Sequence, residues 1–248
     1  MIFYVTSWNM QGGLRDKVAR MMPATSSYIL NTHILLVQEA GKPDGSGMWQ
    51  NDEITIWGRQ FVCVVAAIDP YAEVNFRCTT CILVDRTIAH LIQETRIIGN
   101  VGYRPALGIK INGKWIMTIH DTADGKSWEL KNLINQGFQY YEPWMLMGDL
   151  NCDPQSMSGY EHYSPCQAVP VNLGIHDRPK VIYEIYPRRS TQGPNGNRIS
   201  TLDYILASGF MLPYLSNNGV IHMENEKMHD WYNNYLSDHN MISCAVDL

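Results

Sequence analysis

The sequence lacks long apolar runs and an N-terminal targeting signal. No stretch approaches the roughly 20 consecutive apolar residues that a membrane-spanning helix needs, so we expect no transmembrane span. The first apolar segment begins at Ile2, without a basic region before it or a cleavage site after it, and so it is not a secretory signal peptide. The chain therefore fits either the mature form of a secreted protein or a cytosolic protein.

The sequence also lacks repeats, low-complexity tracts, an evident linker and a basic excess. Its 248 residues are 45% apolar and 17% charged, which predicts one domain over residues 1–248 and argues against disorder. The net charge of −5 is unusual for an enzyme that binds nucleic acid, which normally has a basic surface. A cation bound by an acidic cluster would offset part of this charge.

Paired metal-binding cysteines are missing as well. Cys78 and Cys81 have the spacing of half a zinc knuckle, but no second cysteine or histidine pair accompanies them. They lie in a strand-like run, where positions three apart face opposite sides of the sheet, so we do not expect zinc there. The six cysteines permit disulfides without requiring them.

The sequence does contain many short apolar runs, with few helical segments. The Asn112-Gly113 turn between two such runs predicts a β-hairpin. Short helices are predicted over Arg15–Met22 and Ser26–Leu30, and a further helix after Ser127 would place Leu130, Leu133, Ile134 and Phe138 on one face. This composition predicts two packed sheets.

Six of the apolar runs carry carboxylate, amide or imidazole side chains at one end, either directly before or directly after the run. These residues are Asn9, Glu39, His120, Asp149 with Asn151, Asp203, and Asp238 with His239. Turn chemistry explains one such end but hardly six, so the runs are interpreted as strands that deliver polar groups to one rim. Converging carboxylates repel one another unless a cation neutralises them, and oxygen ligands favour a hard ion such as Mg²⁺.

Individual residues within this set suggest specific roles. Glu39 ends an otherwise apolar strand, where an unpaired carboxylate would be costly to bury, so it is the expected direct metal ligand. Asp149 and Asn151 lie two apart on an extended segment and can point the same way. Asp203 paired with His239 would fix the imidazole tautomer and favour its protonated form.

The order of these motifs resembles the endonuclease/exonuclease/phosphatase superfamily, and within it the catalytic B subunits of cytolethal distending toxins. The resemblance covers nearly the whole chain and is carried by Trp8-Asn9-Met10-Gln11-Gly12, Val37-Gln38-Glu39-Ala40-Gly41, Arg104-Pro105-Ala106, Ile119-His120, Gly148-Asp149-Leu150-Asn151, Leu202-Asp203-Tyr204 and Ser237-Asp238-His239. It implies a four-layered α/β sandwich, in which two mostly antiparallel sheets are flanked by helices and the site lies at one edge.

The resemblance also implies roles for the motif residues. Asn9 and Asp238 would lie close to the ion held by Glu39, and Asp149 would orient or deprotonate the attacking water. Asn151 would donate to a phosphate oxygen, while the pair of Asp203 and His239 faces the scissile phosphate. His120 is the candidate acid for the leaving oxygen, although the sequence leaves open which histidine is the acid and which stabilises the phosphate.

Two arginines are expected to contact the substrate phosphate. Arg104 matches the arginine that precedes Pro-Ala in the family, and its fork of N–H groups suits a phosphodiester. Arg77 matches an arginine of the toxin subunits with its register off by one, and Thr80 stands where those subunits have asparagine. Arg188, Arg189 and Arg198 flank a loop ahead of Asp203 and are interpreted either as a grip on the nucleic-acid backbone or as an ordinary solvated loop.

The function implied by the resemblance is Mg²⁺-dependent endonucleolytic hydrolysis of DNA, with Mn²⁺ or Ca²⁺ as alternative ions. A phosphoinositide phosphatase that uses the same site is one alternative, and a catalytically silent binding or carrier subunit is another. A toxin subunit would travel with separate binding or delivery subunits. It would be secreted and would act inside the target cell, for instance in its nucleus, while a cytosolic location stays open.

Overall fold

The structure is a computed structural model that describes residues 1–42, 47–68, 79–99, 104–122, 130–134, 142–157, 161–163, 180–182, 185–186, 202–215, 221–223, 236–237 and 239–248. None of the helices within these ranges combines the length and the apolar character that crossing a membrane requires.

The strands of the described residues form two sheets. The first sheet contains eight: β1 (Ile2–Asn9), β2 (Ile34–Gln38), β3 (Glu53–Ile56), β4 (Arg59–Ile68), β5 (Thr79–Asp85), β12 (Ile185–Tyr186), β14 (Ile221–Met223) and β15 (Ile242–Asp247). The second contains seven: β6 (Ile92–Ile98), β7 (Ala106–Ile111), β8 (Lys114–Thr118), β9 (Trp144–Asp149), β10 (Glu161–Tyr163), β11 (Lys180–Ile182) and β13 (Asp203–Ala207).

Strand order in both sheets departs from chain order. It is β12-β14-β15-β1-β2-β5-β4-β3 in the first sheet and β10-β11-β13-β9-β8-β7-β6 in the second. Most neighbouring pairs are antiparallel, but each sheet contains two parallel pairs, so both sheets are mixed. The parallel pairs are β1–β2 and β12–β14 in the first sheet and β8–β9 and β10–β11 in the second. The predicted hairpin is confirmed: β7 and β8 pair in antiparallel fashion around Asn112 and Gly113, which have φ angles of 47° and 74°.

The central strands are apolar along their whole length because both of their faces are covered. All five residues of β2 are buried. One core lies between the sheets and includes Phe3, Val5, Leu36, Ile109 and Met147. A second core lies on the outer face of the first sheet, where Trp8 and Leu35 pack against residues of the two short helices α1 (Leu14–Arg20) and α2 (Ser27–Leu30).

The described helical segments agree with the sequence patterns. Both α1 and α2 occur where helices are predicted. Residues 130–134 are also helical, with Leu130, Leu133 and Ile134 buried in the core. Ser127 and Phe138, at the ends of that prediction, lie outside the described residues. Short 3₁₀ helices cover Ala89–Leu91, Pro154–Ser156 and Leu212–Tyr214. The four-layered α/β sandwich is therefore confirmed, with mixed sheets at its centre.

Candidate active site

The topology brings polar strand ends from both sheets to one edge of the sandwich. In the first sheet β1 and β2 are parallel, and Asn9 pairs with Gln38, so Asn9 and the following residue Glu39 emerge side by side. In the second sheet Asp203, the first residue of β13, is opposite Asp149, the last residue of β9. The carboxyl end of one strand thus meets the amino end of its antiparallel neighbour.

Each sheet contributes one histidine to this edge. His120 follows β8 and forms a parallel bridge with Asp149, because β8 and β9 run in the same direction. His239 precedes β15, which is antiparallel to β1, so it lies beside the end of β1. The structure therefore brings together Asn9, Glu39, His120, Asp149, Asn151, Asp203 and His239, each of which the sequence predicts for the site.

Left-handed backbone conformations mark the turns at this edge. Gln11, Glu39 and Asn151 have φ angles of 53°, 50° and 48°, a region that non-glycine residues seldom occupy. Such a conformation costs on the order of 1–3 kcal/mol and persists only where the surroundings enforce it. At Glu39 the enforcing contact is a hydrogen bond of 2.6 Å from the backbone N–H of Gly12 to its carbonyl oxygen.

Asp149 lies at the centre of the cluster. Its Oδ2 is 2.8 Å from Nδ2 of Asn9, 3.6 Å from Nε2 of His239 and 3.7 Å from Nε2 of His120. The same Nε2 of His120 is 3.4 Å from Oε1 of Glu39. One carboxylate oxygen therefore faces an amide and two imidazoles, a geometry that suits the handling of a proton or a water molecule.

Burial shapes the electrostatics of Asp149. Desolvation, followed by repulsion from the Asp203 carboxylate, raises the pKa of Asp149 to about 7, although His239 and the hydrogen bonds from Asn9 and the Asn151 backbone act in the opposite direction. The backbone N–H of Asn151 donates to Oδ1 of Asp149 at 3.1 Å. Burial is the largest cause of this high pKa and the Asp203 carboxylate adds to it, so a positive charge beside Asp149 would favour its ionised form.

His239 is fixed from several directions. Its Nδ1 is 2.8 Å from Oδ2 of Asp203, so Nε2 is the nitrogen that faces Asp149. The hydroxyl of Ser237 accepts a hydrogen bond from the His239 amide at 3.1 Å and donates to the carbonyl of Asn9 at 2.6 Å. The indole N–H of Trp8 donates to the His239 carbonyl at 3.2 Å. An imidazole held by a carboxylate in this way keeps one tautomer.

Exposure differs across the cluster. The side chains of Glu39 and His120 are 13% and 12% exposed, whereas those of Asp149, Asp203 and His239 are at most 3% exposed. Glu39 and His120 are therefore the most accessible side chains of the cluster, and Asp149, Asp203 and His239 lie deeper in it.

Asn9 is oriented by its own loop. Its Oδ1 accepts the backbone N–H of Gln11 at 3.1 Å, which is an Asx turn, while Nδ2 faces Glu39 at 3.4 Å and Asp149 at 2.8 Å. In this orientation the amide nitrogen, rather than the oxygen, points at the carboxylates. Asn9 thus orients Glu39 and Asp149 here, and its role near the ion stays a prediction.

Asp121 is a residue of the site that the sequence motifs did not single out. Its backbone carbonyl accepts hydrogen bonds from Nη1 of Arg104 at 2.9 Å and from Nδ2 of Asn151 at 2.7 Å. Its amide in turn donates to the carbonyl of Asp149 at 2.9 Å. The carbonyl therefore orients Arg104 and Asn151, two of the residues predicted to hold the phosphate. A backbone acceptor leaves no sequence signal beyond its position next to His120.

Several predicted residues lie outside the described ranges. They are the metal-ligand candidate Asp238, the phosphate-contact candidate Arg77, and the loop arginines Arg188, Arg189 and Arg198. Their roles stay predictions.

The donor set fits a divalent cation. One potential ligand atom from each of Asp149, Asp203 and His239 lies within 4.8 Å of the other two. Glu39 adds a further carboxylate on the accessible side of the cluster. It lies near Asp149, because Asn9 and His120 each come within 3.7 Å of both carboxylates. Carboxylate oxygens suit Mg²⁺ or Mn²⁺, and a cation beside Asp149 would offset the burial and the repulsion from Asp203 that raise its pKa.

Comparisons with known proteins agree with this geometry. A sequence profile described as the Endonuclease/Exonuclease/phosphatase family matches residues 6–239. No curated protein sequence matches the chain. Among solved structures, the chain is similar to cytolethal distending toxin from Actinobacillus actinomycetemcomitans, with a TM-score of 0.62 and 19% identity over 99% of this chain and 98% of that chain.

Two further solved structures have the same architecture. The cytolethal distending toxin of Haemophilus ducreyi matches with a TM-score of 0.57 and 19% identity, over 99% of this chain and 98% of that chain. An AP endonuclease from Archaeoglobus fulgidus matches with a TM-score of 0.60 and 11% identity, over 99% and 100% of the two chains. At these identities the similarity establishes a shared fold.

Proposed function

This chain belongs to the endonuclease/exonuclease/phosphatase family, and from that premise we propose that it is a metal-dependent phosphodiesterase that hydrolyses DNA. The observation that carries the proposal is the position of Asp149, whose Oδ2 lies within 3.7 Å of Nε2 of both His120 and His239. A base with an imidazole on each side can serve both the attacking water and the phosphoryl oxygens.

Each residue of the cluster has a separate proposed role, which follows from its position. Asp149 accepts the proton of the attacking water. His239, which the Asp203 carboxylate favours in its protonated form, donates its Nε2–H to a phosphoryl oxygen as charge develops. His120 lies at the more exposed side and protonates the departing sugar oxygen. Arg104 and Asn151, both oriented by the Asp121 carbonyl, direct their remaining N–H groups to the phosphate.

The proposed ion is Mg²⁺. Glu39 would hold it at the accessible side of the cluster, with Asn9 and Asp238 nearby. When bound, a divalent ion polarises the phosphoryl group and offsets the negative charge of substrate and carboxylates.

A role as the catalytic subunit of a secreted toxin goes with this activity. It is supported by the structural similarity to two cytolethal distending toxins, together with the toxin-like Asn9-Met10-Gln11-Gly12 segment. In that role the chain would act inside a target cell after delivery by separate subunits.

Phosphoinositide hydrolysis is the second candidate, and one observation favours it. The net charge of −5 is unfavourable for binding long DNA, whereas a small phosphomonoester needs few basic contacts.

Substrate and salt dependence separate the candidates. The purified chain would be assayed with Mg²⁺ for nicking of supercoiled plasmid and for phosphate release from inositol-lipid vesicles, between about 50 and 200 mM salt. We expect nicking that falls steeply with salt, because cations compete with protein contacts to the DNA phosphates. Asp203→Ala is the control for a contaminating nuclease. Phosphate release without nicking would establish the phosphatase instead, and neither activity would leave a binding or carrier subunit.

A further inference from the structure

A buried amide connects the two sheets immediately behind the active site. Gln38, the last residue of β2, is fully buried, and its Nε2 donates to Oγ1 of Thr118 at 2.7 Å. Thr118 ends β8 and is also fully buried. Because β2 belongs to the first sheet and β8 to the second, this hydrogen bond crosses the interior of the sandwich.

The amide is held on its own sheet as well. The hydroxyl of Ser7, on the neighbouring strand β1, is 3.3 Å from Oε1 and 3.1 Å from Nε2 of Gln38. The carbonyl of Leu36 is 3.3 Å from the same nitrogen. We name Ser7, Gln38 and Thr118 the interlayer bridge. Its members are polar groups in an otherwise apolar interior, where each group without a partner would cost on the order of 1–3 kcal/mol.

The interlayer bridge adjoins the residues that meet across the site. Gln38 directly precedes Glu39, and Thr118 lies two residues before His120, whose Nε2 is 3.4 Å from Oε1 of Glu39. Gly148 closes the same region from the neighbouring strand β9, since a Cβ there would lie 2.2 Å from the carbonyl oxygen of Ile119 and 3.2 Å from Oγ1 of Thr118. The end of β8 is therefore confined between β2 and β9.

We propose that the interlayer bridge is a positioning device that sets the distance between Glu39, on the first sheet, and His120 and Asp149, on the second. Gln38 is fully buried and its amide is engaged by Ser7, Leu36 and Thr118, so it acts on the site through the strand ends that carry Glu39 and His120. The inference rests on the proposed function, because it assigns the bridge a role in binding the ion and in turnover.

A bridge that only stabilised the fold would respond differently to mutation than a bridge that positions the site. Apolar groups pack between sheets without directional demands, and replacing a buried polar network by apolar residues of similar volume is often neutral or stabilising. If the bridge positions the site residues, its removal should affect stability differently from ion binding and activity. Stability would be kept while ion binding and activity are lost.

The test compares the parent with the triple variant Ser7→Ala/Gln38→Leu/Thr118→Val, which removes every member of the bridge at once. Mn²⁺ affinity is measured by calorimetry, stability by urea unfolding, and kcat and KM by plasmid nicking. We expect the urea midpoint to be kept while Mn²⁺ affinity or kcat falls about 10- to 100-fold, the usual effect of losing groups that orient metal ligands. The single variant Thr118→Ser keeps the hydroxyl that accepts from Gln38, so its Mn²⁺ affinity and kcat should match those of the parent.

Thr32→Val is the matched control, because Thr32 is buried and its Oγ1 is 2.5 Å from Oγ1 of Thr6, away from the site. Parental Mn²⁺ affinity and kcat in a folded triple variant would overturn the proposal. If the triple variant does not fold, the single variant Thr118→Val is judged by the same criterion.

Failure of the proposed function gives a different result. In that case the parent itself neither binds Mn²⁺ nor cuts DNA. The bridge is then judged on a crystal structure of the variant, where an unchanged distance between Oε1 of Glu39 and Nε2 of His120 would overturn its positioning role.

Discussion

At the scale of single residues, the site depends on pairs that act together. His239 is held by Asp203 through its ring and by Ser237 and Trp8 through its backbone, so its Nε2 has one direction in which to point. Asp203 is almost fully buried and contributes by orienting that ring. The Asp203 carboxylate and the His239 imidazole are 2.8 Å apart, and we propose that they act as one unit.

We predict that His239→Ala and Asp203→Ala each lower the nicking rate by roughly 10²- to 10⁴-fold. The double variant should be within about tenfold of either single variant, because residues that act as a unit lose their function once. Rates at saturating Mg²⁺ provide the comparison, and His90→Ala, at an exposed histidine, is the control. Losses that multiply in the double variant would mean that the two residues act independently.

The sequence predicts most of the residues that meet at the site and fewer of their contacts. Glu39, His120, Asp149 and His239 are identifiable because each follows or precedes an apolar strand within an ordered set. The role of the Asp121 carbonyl could not be predicted, since any residue supplies the same backbone oxygen. The orientation of the Asn9 amide depends on the Gln11 N–H, which only the loop geometry defines.

At the scale of elements, the site depends on how closely β8 and β9 approach each other. Gly148 precedes Asp149 and faces the end of β8, where a methyl group would overlap the Ile119 carbonyl. Any movement that relieves the overlap displaces His120 or Asp149, because both lie one residue away from the contact.

We predict that Gly148→Ala destabilises the protein by about 1–3 kcal/mol, as overpacking usually does, and also abolishes most of the activity. Gly113→Ala is the matched control, because its φ of 74° is unfavourable for alanine while no atom lies within 4 Å of the new Cβ. It should lose about 1–2 kcal/mol and keep its activity. Urea unfolding and plasmid nicking measure both effects, and equal activity in the two variants would contradict the account.

Secondary structure is predictable at this scale, whereas strand order is not. Apolar runs and the Asn112-Gly113 turn identify strands and a hairpin from local chemistry. The placement of β1 between β15 and β2 joins segments more than 200 residues apart, and local patterns carry no information about such pairing. The family resemblance, rather than periodicity, supplied the four-layered arrangement.

At the scale of the whole molecule, the negative net charge of the protein disfavours binding of DNA, the proposed substrate, which is also negatively charged. The net charge of −5 includes the carboxylates of Glu39, Asp149 and Asp203, which converge on one small volume. An ion in that volume would reduce the excess where the DNA phosphate must approach. Activity is therefore expected to depend on the ion, and Glu39 offers the most accessible carboxylate of the three.

The most direct test is the nicking rate of supercoiled plasmid as a function of Mg²⁺ concentration, for the parent and for Glu39→Gln. The amide keeps the shape of the side chain and loses its charge, so the variant should fold normally. We predict a parental rate that saturates with Mg²⁺ and vanishes in EDTA, and a variant that needs at least about tenfold more Mg²⁺. Parental nicking that persists in EDTA, or a variant with the parental rate and Mg²⁺ requirement, would contradict the account.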